Sequence, residues 1–375
     1  MTLKEEIRDY ANSIGVPMVG FTGVEPLEDI RELLEKRRDL GYLSGFEEED
    51  LELRLNPKKI MASVRSIIVI AVPYFVEDEQ IDKKKIAKYH GELARVAWGQ
   101  DYHRVLRRKM EMIAGHIKGK EKKLSYKILV DTGPLVDKHI AFYGGLGWYG
   151  YNSLLINEEY GSWFFIGSLL TNLDIPQDGP LEQKTCIGCG KCIEYCPTGA
   201  IEGPFIFNAN KCLSNLLQQK TDLVMDYADK IGKNLYGCDI CQEVCPHNRG
   251  ISRSEGKEFV PREDLYKPNL LKLINISNRE FNESYGKTSA GWRGKRVLQR
   301  NAIIALANHG DKDAIAYLLP MLEDERPEIR KYSLWAIYQL DASKAIGIFE
   351  KVKKYEKDGE IIRFINSYLN KEDNI

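Results

Sequence analysis

The amino-acid sequence predicts a mixed α+β protein with three consecutive regions. Apolar strands alternate with amphipathic helices in the first half, all eight cysteines lie between Cys186 and Cys245, and the residues after Pro261 have the pattern of helices with polar connections. At 375 residues, of which 43% are hydrophobic, the chain is long enough for two or three domains with a sizeable core. This composition excludes disordered and collagen-like architectures.

Strands and helices alternate through the first 170 residues. Thr2 and Glu5 fit a capping box at the start of a helix, and further helices are predicted over residues 26–40, 102–117 and 137–145. Strands are predicted over residues 18–22, 66–74, 126–131, 153–157 and 163–170, the third of which ends in Asp131. The alternation predicts an α/β or α+β domain, and the proline- and glycine-containing residues 172–185 predict a linker.

The charge of the chain is nearly balanced, with 54 lysine and arginine residues against 55 aspartate and glutamate residues. Contact with a nucleic acid would therefore depend on local basic patches. The first residues do not form a basic and apolar leader, and the apolar runs are much shorter than the ~20 residues that cross a bilayer. We expect a cytoplasmic protein without a membrane segment.

The cysteines form an iron–sulfur pattern. The first four, followed by Pro197, have the C-x2-C-x2-C-x3-C-P spacing in which three thiolates bind one [4Fe–4S] cluster and the fourth binds another. A later run repeats the last three positions with a following proline, and the one remaining cysteine can supply the missing ligand. One cluster is then assigned Cys186, Cys189, Cys192 and Cys245, and the other Cys196, Cys212, Cys238 and Cys241.

Structural zinc is the main alternative for these thiols, because two four-cysteine sites could also use CxxC pairs. Zinc requires neither the 2-2-3 spacing with a following proline nor its near repetition, so the pattern favours two [4Fe–4S] clusters. Disulfides fit less well, since all the cysteines lie in one segment of a large chain. The expected chemistry is one-electron transfer.

Two other motifs lack the context that their usual functions require. Residues 145–150 match G-x-G-x-x-G, but a helix precedes these glycines where a dinucleotide site needs a strand, so a close-packed turn is the better interpretation. Asp101 and His103 begin the D-x-H-x-x-G signature of some cobalamin enzymes, whereas Leu106 stands where the glycine belongs. Histidine ligation of cobalt is therefore not predicted.

The cysteine-free region after residue 261 predicts paired helices. Segments 299–307 and 330–338 resemble each other at an offset of 31 residues, and each precedes a second apolar helix, over 314–322 and 343–352. This pattern favours a short α-solenoid similar to HEAT repeats, with a plain helical bundle as the alternative.

A local basic excess in this region is a candidate RNA contact. Between Tyr285 and Asn301 there are five basic residues, one tryptophan and no acid: Lys287, Trp292, Arg293, Lys295, Arg296 and Arg300. Lysine and arginine bind phosphates, and an aromatic ring stacks on an unpaired base. The alternative is a solvated helix face with a buried tryptophan. A second basic run, over 104–123, is interpreted as the solvated face of an amphipathic helix.

Several segments, taken together, resemble the epoxyqueuosine reductase family. They are RLNP at 54–57, WGQDYH at 98–103, VDTGPL at 130–135, GLGW at 145–148 with Asn152, GSWFF at 161–165, YGCD at 236–239 and GWRGK at 291–295. The resemblance covers nearly the whole chain, and it depends on the order and joint presence of these segments with the cysteine pattern.

The resemblance implies a fold, a reaction and its cofactors. A reductive-dehalogenase-like, cobalamin-binding α/β domain would cover residues 1–175, a bacterial ferredoxin-like domain with two [4Fe–4S] clusters 176–260, and HEAT-like helices that contact tRNA 261–375. The implied reaction is the last step of queuosine biosynthesis, the reduction of epoxyqueuosine to queuosine at the wobble position of tRNA with a GUN anticodon. Base-off cobalamin would receive electrons through the clusters from a flavodoxin- or ferredoxin-type donor. We expect a monomer.

The resemblance also implies site residues. Asp131 matches the proton donor of the family, and an apolar, cofactor-covered pocket would keep its carboxyl protonated. Without the resemblance, Asp131 could be an Asx-turn acceptor, and the rival acid Asp137 could cap the following helix. The candidates for lining the cobalamin pocket are Arg54, Tyr102, His103, Asp131, Asn152 and Ser214.

Two other functions stay open at this point. A cobalamin and iron–sulfur reductase of a small molecule, such as an organohalide, has no need of a basic helical tail. An iron–sulfur electron carrier without an organic cofactor would not require the large region before Cys186. Binding of cobalamin distinguishes the carrier from both reductases.

Overall fold

The computed structural model of the chain describes residues 1–79, 81–181, 183–221 and 227–372. Its helices are α1 Leu3–Ser13, α2 Arg31–Asp39, α3 Leu51–Leu55, α4 Pro57–Ile60, α5 Tyr102–Lys120, α6 Asp137–Tyr143, α7 Lys191–Glu194, α8 Leu213–Leu216, α9 Ala228–Ile231, α10 Ile240–Glu243, α11 Glu263–Tyr266, α12 Leu270–Ile274, α13 Asn278–Glu283, α14 Lys295–Asn308, α15 Ile315–Leu318, α16 Pro327–Leu340, α17 Ala342–Lys353 and α18 Gly359–Glu372. Its strands are β1 Met18–Thr22, β2 Ser66–Pro73, β3 Glu92–Leu93, β4 Tyr126–Leu129, β5 Trp148–Tyr149, β6 Leu155–Ile156, β7 Phe164–Thr171, β8 Ile201–Gly203, β9 Ile206–Phe207 and β10 Asn234–Tyr236. No helix within the described ranges is long and apolar enough to span a lipid bilayer.

The chain forms two compact units, each assembled from separate segments. The first unit contains Met1–Asp78, Gly99–Asn215 and Asp239–Pro261. The second unit contains Glu79–Trp98, Leu216–Cys238 and Arg262–Ile375. The sequence predicts three consecutive regions, whereas the chain enters each compact unit three times.

A four-stranded sheet is the centre of the first unit. Its strands lie in the order β1-β2-β7-β4, and all three pairings are antiparallel. Every residue of β2 is buried, which fits its almost uninterrupted apolar sequence and requires cover on both faces of the sheet. Helix α5 packs against β4 and β7, and α6 packs against β1, β2 and β7. The predicted mixture of helices and strands is therefore an α+β fold.

The predicted start of one helix and the predicted end of one strand are wrong by a few residues. The helix predicted over 26–40 begins only at Arg31, because the residues before it form a 3-10 turn over Glu28–Ile30. The strand predicted over 126–131 ends at Leu129, where its pairing with β7 ends. Asp131 lies in a turn with a φ of 50°, so the main chain there is in the left-handed region.

The glycine-rich stretch over 144–150 packs closely, as predicted. A Cβ atom on Gly20 would lie 2.0 Å from the carbonyl oxygen of Gly144, and one on Gly147 would lie 2.4 Å from that of Ile156. The stretch follows α6 and leads into the short hairpin of β5 and β6, in which the strand predicted over 153–157 is reduced to Leu155–Ile156. This context is not that of a dinucleotide site.

The second unit is built around α14 and α16. Helix α14 is buried from Val297 to Ala307, and it packs against α9, α12, α16 and β10. The predicted helix pairs are present, since α15 follows α14 and α17 follows α16. Helix α15 covers only Ile315–Leu318 because Pro320 cannot continue an α-helix, and a 3-10 helix takes its place.

Candidate active site

The first unit brings Tyr102, His103 and Asp131 together. Asp101 is the N-cap of α5, and its Oδ1 accepts a hydrogen bond from the main-chain N–H of His103 (3.0 Å) and lies 2.8 Å from Nδ1 of the same residue. Nε2 of His103 lies 3.4 Å from Oδ2 of Asp131. The hydroxyl of Tyr102 donates to that same oxygen at 2.9 Å. One carboxylate oxygen therefore has two neighbours that can hold a proton.

The charges of this group favour a proton on His103. Burial lowers the pKa of His103, but the carboxylates of Asp101 and Asp131 outweigh burial and raise it to about 9. Desolvation raises the pKa of Asp131, but His103 and Tyr102 lower it by more, so it lies below its usual value. The Asp131 side chain is 62% exposed and faces a cation. That an apolar, cofactor-covered pocket keeps its carboxyl protonated stays a prediction. At neutral pH the pair is imidazolium and carboxylate.

The turn after β4 is fixed by a second carboxyl. The main-chain N–H of Asp131 donates to Oδ2 of Asp137 at 3.1 Å. Oδ1 of Asp137 is buried and has no hydrogen-bond partner within the described ranges. Burial, and then the charge of Asp131, raise the pKa of Asp137 to about 7. The predicted helix cap is wrong: Val136 is the N-cap of α6, without a side-chain bond, and Asp137 bonds to the preceding turn instead.

Two cations outside the predicted site, Lys138 and Arg37, belong to the same electrostatic group. Nζ of Lys138 donates to the carbonyl oxygen of Ser153 at 2.7 Å, and burial lowers the pKa of Lys138 to about 8. The charges of Arg37 and Asp131 act on this lysine. Nε of Arg37 is buried and has no hydrogen-bond partner in the described part of the chain. Neither residue belongs to a sequence motif, so only the electrostatic interactions in the folded chain relate them to the site.

An aromatic stack supports Tyr102. Its ring is parallel to that of Phe165, with centroids 4.3 Å apart, and Phe165 stacks in turn on Tyr74 at 4.2 Å. Phe165 belongs to β7, and Tyr74 directly follows β2, so two neighbouring strands present the stack. Stacked rings restrict the tyrosine and so fix the position of its hydroxyl beside Asp131.

The other three predicted cobalamin contacts have different neighbours. Arg54 lies in α3, where burial lowers its pKa and the charges of Glu47 and Arg37 act on it. Asn152 is buried, and it lines the same opening as the first set of cysteines. The main-chain N–H of Ser214 donates to the thiol of Cys212. The structure therefore brings together three of the six predicted contacts, Tyr102, His103 and Asp131.

The first predicted set of cysteines surrounds one opening. Cys186, Cys189, Cys192 and Cys245 line it together with Gly150, Tyr151, Asn152, Ile156, Ile187, Gly190 and His247. Cys189 is exposed and Cys192 is buried. Burial, and then the neighbouring thiols, raise the pKa of Cys192 to about 11. Thiols that converge on one opening from two separate segments fit the predicted ligand set.

Three cysteines of the second predicted set belong to the first unit. The N–H of Ala200 donates to Sγ of Cys196 at 3.2 Å. Burial raises the pKa of Cys212, while the main-chain N–H groups of Ser214 and Asn215 donate to its thiol and lower it. Main-chain N–H groups that bond to sulfur are typical around iron–sulfur clusters. The charge of Cys241 raises the pKa of Lys138. The fourth cysteine, Cys238, is the last residue of the segment Leu216–Cys238 of the second unit.

Several basic residues of the helical tail donate hydrogen bonds to main-chain carbonyl oxygens. Three arginines donate to carbonyl oxygens between residues 217 and 221: Arg293 to Gln218, Arg296 to Lys220, and Arg300 to Leu217, Gln219 and Thr221. Arg300 is completely buried, and Glu328 pairs with both Arg296 and Arg300. The prediction that Arg300 contacts tRNA is therefore wrong, because its guanidinium is enclosed by the protein.

Trp292 and Lys287 are the most exposed members of the basic segment. Trp292 is 51% exposed, so the alternative of a buried tryptophan is wrong. Its Nε1 donates to Gln218 at 2.8 Å, and the guanidinium of Arg293 lies 4.6 Å from its ring centroid. Lys295 donates to the carbonyl oxygen of Ile276 at 3.3 Å. An exposed aromatic ring with cations beside it is the kind of surface on which an RNA base can stack.

Comparison with known proteins relates the chain to one family along nearly its whole length. The epoxyqueuosine reductase QueG family model matches residues 54–132, a 4Fe-4S double cluster binding domain matches 185–248, and HEAT repeats match 294–363. The chain is 40% identical to the epoxyqueuosine reductase of Bacillus subtilis over 359 residues. These aligned residues cover 96% of this chain and 93% of that protein. It is 41% identical over 344 residues to that of Staphylococcus aureus, covering 92% and 90%.

Solved structures give the same relationship. A crystal structure of epoxyqueuosine reductase with a tRNA-Tyr epoxyqueuosine-modified stem loop superimposes with a TM-score of 0.92, at 39% identity over 98% of both chains. The structure from Streptococcus thermophilus has a TM-score of 0.92 at 35% identity and covers all of both chains. These comparisons confirm the predicted α+β class, the iron–sulfur segment and the HEAT-like tail.

Proposed function

The chain belongs to the epoxyqueuosine reductase family, and we propose that it reduces epoxyqueuosine to queuosine at the wobble position of tRNA, the last step of queuosine biosynthesis. One observation carries the proposal: 39% identity and a TM-score of 0.92 over 98% of the chain to an epoxyqueuosine reductase solved with a modified tRNA stem loop. Removal of the epoxide oxygen as water requires two electrons and two protons, so the site needs a source of each.

Iron–sulfur clusters and cobalamin are the proposed source of electrons. We assign two [4Fe–4S] clusters to the two predicted cysteine sets, and the opening lined by Cys186, Cys189, Cys192 and Cys245 supports the first assignment. Base-off cobalamin, when bound, supplies a strongly reducing cobalt centre, and the clusters supply single electrons at low potential. A flavodoxin- or ferredoxin-type protein would be the donor.

Asp137 and Arg37, whose charges both act on Lys138, fit a large cofactor with many amide groups. Oδ1 of Asp137 can accept a hydrogen bond and Nε of Arg37 can donate one, and both atoms are buried without a partner among the residues that the structure describes. Amide side chains of cobalamin offer both donors and acceptors. The residues proposed to hold it remain Arg54, Tyr102, His103, Asp131, Asn152 and Ser214.

Asp131 and His103 together can deliver a proton. The proton that His103 holds at neutral pH lies within 3.4 Å of Oδ2 of Asp131. Its transfer leaves a neutral imidazole and a carboxylic acid, and the acid can donate to the epoxide oxygen as the C–O bond breaks. Tyr102 keeps the carboxylate oriented toward this contact. In this arrangement Asp131 remains the proton donor, and His103 supplies the proton that Asp131 passes on.

We propose that the helical tail helps to hold tRNA with a GUN anticodon. The proposed contacts are Lys287, Trp292, Arg293, Lys295 and Arg296, and the exposure of Trp292 supports a stacking role. Arg300 is left out because it is buried. The division into a cobalamin-binding domain (1–175), a ferredoxin-like domain (176–260) and a tRNA-contacting tail (261–375) belongs to the same proposal, as do a monomeric state and a cytoplasmic location.

Anaerobic turnover tests the function directly. The purified chain with reconstituted clusters and added cobalamin is incubated with an epoxyqueuosine-containing anticodon stem–loop and dithionite, and the nucleosides are analysed by mass. Loss of one oxygen to give queuosine is expected, and Asp131→Asn is the inactive control. Cobalamin binding without loss of the oxygen would support a small-molecule reductase instead. Clusters without cobalamin binding would support an electron carrier.

A further inference from the structure

His247 is bonded to both segments that supply the first set of cysteines. Its Nε2 accepts a hydrogen bond from the main-chain N–H of Ile187 at 3.3 Å, and Ile187 lies between Cys186 and Cys189. The main-chain N–H of His247 donates to the thiol of Cys245. All five residues line the same opening. A residue outside the predicted ligand set therefore connects the two cysteine segments.

The turn that carries His247 is well anchored. It is a 3-10 turn over Pro246–Asn248. Oδ1 of Asn248 accepts a hydrogen bond from the main-chain N–H of Ser162 at 2.7 Å. The imidazole meets the buried ring of Trp148 edge-on, with centroids 5.7 Å apart. These contacts fix the position of Nε2, because both the main chain of the turn and the imidazole ring are held.

The loop between Cys186 and Cys189 is irregular and exposed. Residues 184–190 form neither helix nor strand, and the side chain of Ile187 is 61% exposed. Segments with few buried contacts open easily. A hydrogen bond from this loop to a fixed side chain therefore restricts where the two cysteines lie.

The acceptor of the Ile187 N–H also bears on the reduction potential of a cluster bound by these cysteines. Hydrogen bonds to the sulfurs are among the factors that set this potential. Reduction adds negative charge, so an N–H that donates to sulfur stabilises the reduced state and raises the potential. The N–H of Ile187 donates to an imidazole nitrogen instead. A lower potential follows from this choice of acceptor.

We propose that His247 is a positioning residue of the first cluster: its imidazole anchors the loop between Cys186 and Cys189 and withdraws the Ile187 N–H from the sulfurs, which keeps the reduction potential low. A low potential suits a relay that feeds a strongly reducing cobalt centre. The proposal rests on the proposed function, because it takes the assignment of the first cluster from it.

Two substitutions of His247 separate the hydrogen bond from the packing. His247→Phe keeps a flat ring against Trp148 but accepts no hydrogen bond, whereas His247→Gln keeps an acceptor oxygen. The reconstituted chain is titrated anaerobically with dithionite and redox mediators, and the reduced clusters are followed by electron paramagnetic resonance. His116→Phe is the matched control, since His116 is another partly buried histidine of the first unit, stacked on Tyr10.

One cluster of His247→Phe should be easier to reduce. Its ratio of reduced to oxidised form at a fixed potential should rise about tenfold, which is a shift of about 59 mV for one electron. The other cluster, His247→Gln and His116→Phe should keep the wild-type potentials. Unchanged potentials in His247→Phe with both clusters present would overturn the proposal, and so would equal shifts in His247→Phe and His247→Gln.

Cluster content decides the case in which His247→Phe does not assemble fully. Loss of one cluster in His247→Phe that His247→Gln restores would support the hydrogen bond as the anchor of the loop. Loss in both variants would overturn the proposal, because the imidazole would then be needed for packing. A wild-type chain that does not assemble two [4Fe–4S] clusters would contradict the proposed function itself, whereas unchanged potentials in intact variants leave that function standing.

Discussion

The main-chain N–H of Asp131 donates a hydrogen bond to Oδ2 of Asp137, 3.1 Å away. This bond anchors a turn in which Asp131 has a φ of 50°, a conformation that costs a non-glycine residue about 1 kcal/mol. The same turn places the Asp131 carboxylate between Tyr102 and His103. Two acids six residues apart therefore have different surroundings: Asp131 faces Tyr102 and His103, and Asp137 holds the main chain.

Replacing Asp131 with asparagine should abolish proton delivery without disturbing the cofactors. An amide has the same size but cannot donate a carboxylic proton, so turnover should fall by two to four orders of magnitude, as is typical for a lost general acid (about 10²–10⁴-fold). Cluster absorbance and cobalamin binding should stay at wild-type levels. Wild-type turnover in Asp131→Asn would remove this residue from the mechanism.

His103→Gln should lower turnover and change its pH dependence. Because the pKa of His103 is raised to about 9, the wild type holds this proton below pH 9 and loses it above, so its turnover should decline above about pH 9. The variant has no titrating group at this position and should lack that decline, at a rate reduced about tenfold or more. The measurement is turnover of the modified stem–loop from pH 6 to 10. A retained decline in the variant would assign it to another group.

Asp137→Asn should stabilise the protein selectively at neutral and alkaline pH. The pKa of Asp137 is raised to about 7 in the folded chain from a usual value of 3.8, so the wild type loses stability as pH rises between these two values. The asparagine lacks this loss and can still accept the N–H of Asp131. The variant should therefore melt a few degrees above the wild type at pH 8 and no higher at pH 4. Equal differences at both pH values would contradict the burial of an ionised carboxyl.

The hydrogen bond from the Asp131 N–H to Asp137 can be tested by its effect on turnover. Asp137→Ala removes the acceptor for Asp131, and turnover should fall while cluster content is unchanged. Rescue by asparagine at the same position would distinguish the hydrogen bond from the negative charge.

Trp292→Ala should weaken binding of the anticodon stem–loop. Stacking of one base on an aromatic ring contributes about 1–3 kcal/mol, so the dissociation constant should rise roughly tenfold. Tyr355→Ala is the control, because Tyr355 is an aromatic residue of comparable exposure in the same unit. Fluorescence anisotropy of a labelled stem–loop measures both. Equal effects of the two substitutions would refute a specific role for Trp292.

Arg300→Ala should destabilise the second unit. Its buried guanidinium satisfies three main-chain carbonyls and lies 3.5 Å from Glu328, so removal leaves these groups unpaired at a cost of about 3 kcal/mol. Arg279→Ala, on an exposed ion pair, should leave the stability nearly unchanged. Thermal unfolding compares the two. A stable Arg300→Ala variant with reduced RNA affinity would restore the predicted RNA contact.

Local patterns could predict the chemistry of the site because they are short and strict. The capping box of Thr2 and Glu5 and the close-packed glycines are confirmed, since each depends on neighbours within a few residues or on a lack of side-chain volume. The cysteine spacing predicts an iron–sulfur segment, which the family comparison confirms. Asp131 was identified through the VDTGPL segment, and its role as proton donor stays a prediction.

Burial and charge could not be predicted in the same way. Arg293, Arg296 and Arg300 form one basic run in the sequence, yet α14 encloses Arg300, while Arg296 at its start and Arg293 before it are only half-buried. The ionisation of Asp131 depends on His103, 28 residues earlier, and on the N-cap that orients that imidazole.

The amino-acid sequence defines which chemistry the chain can contain: thiols at cluster spacing, an acid in a family motif, and a helical repeat. These follow from residue type and local spacing alone. Packing in three dimensions sets which groups meet, which are enclosed and which keep a proton. Those properties depend on packing between elements far apart in the chain, because desolvation and electrostatic interactions are set by distances in space.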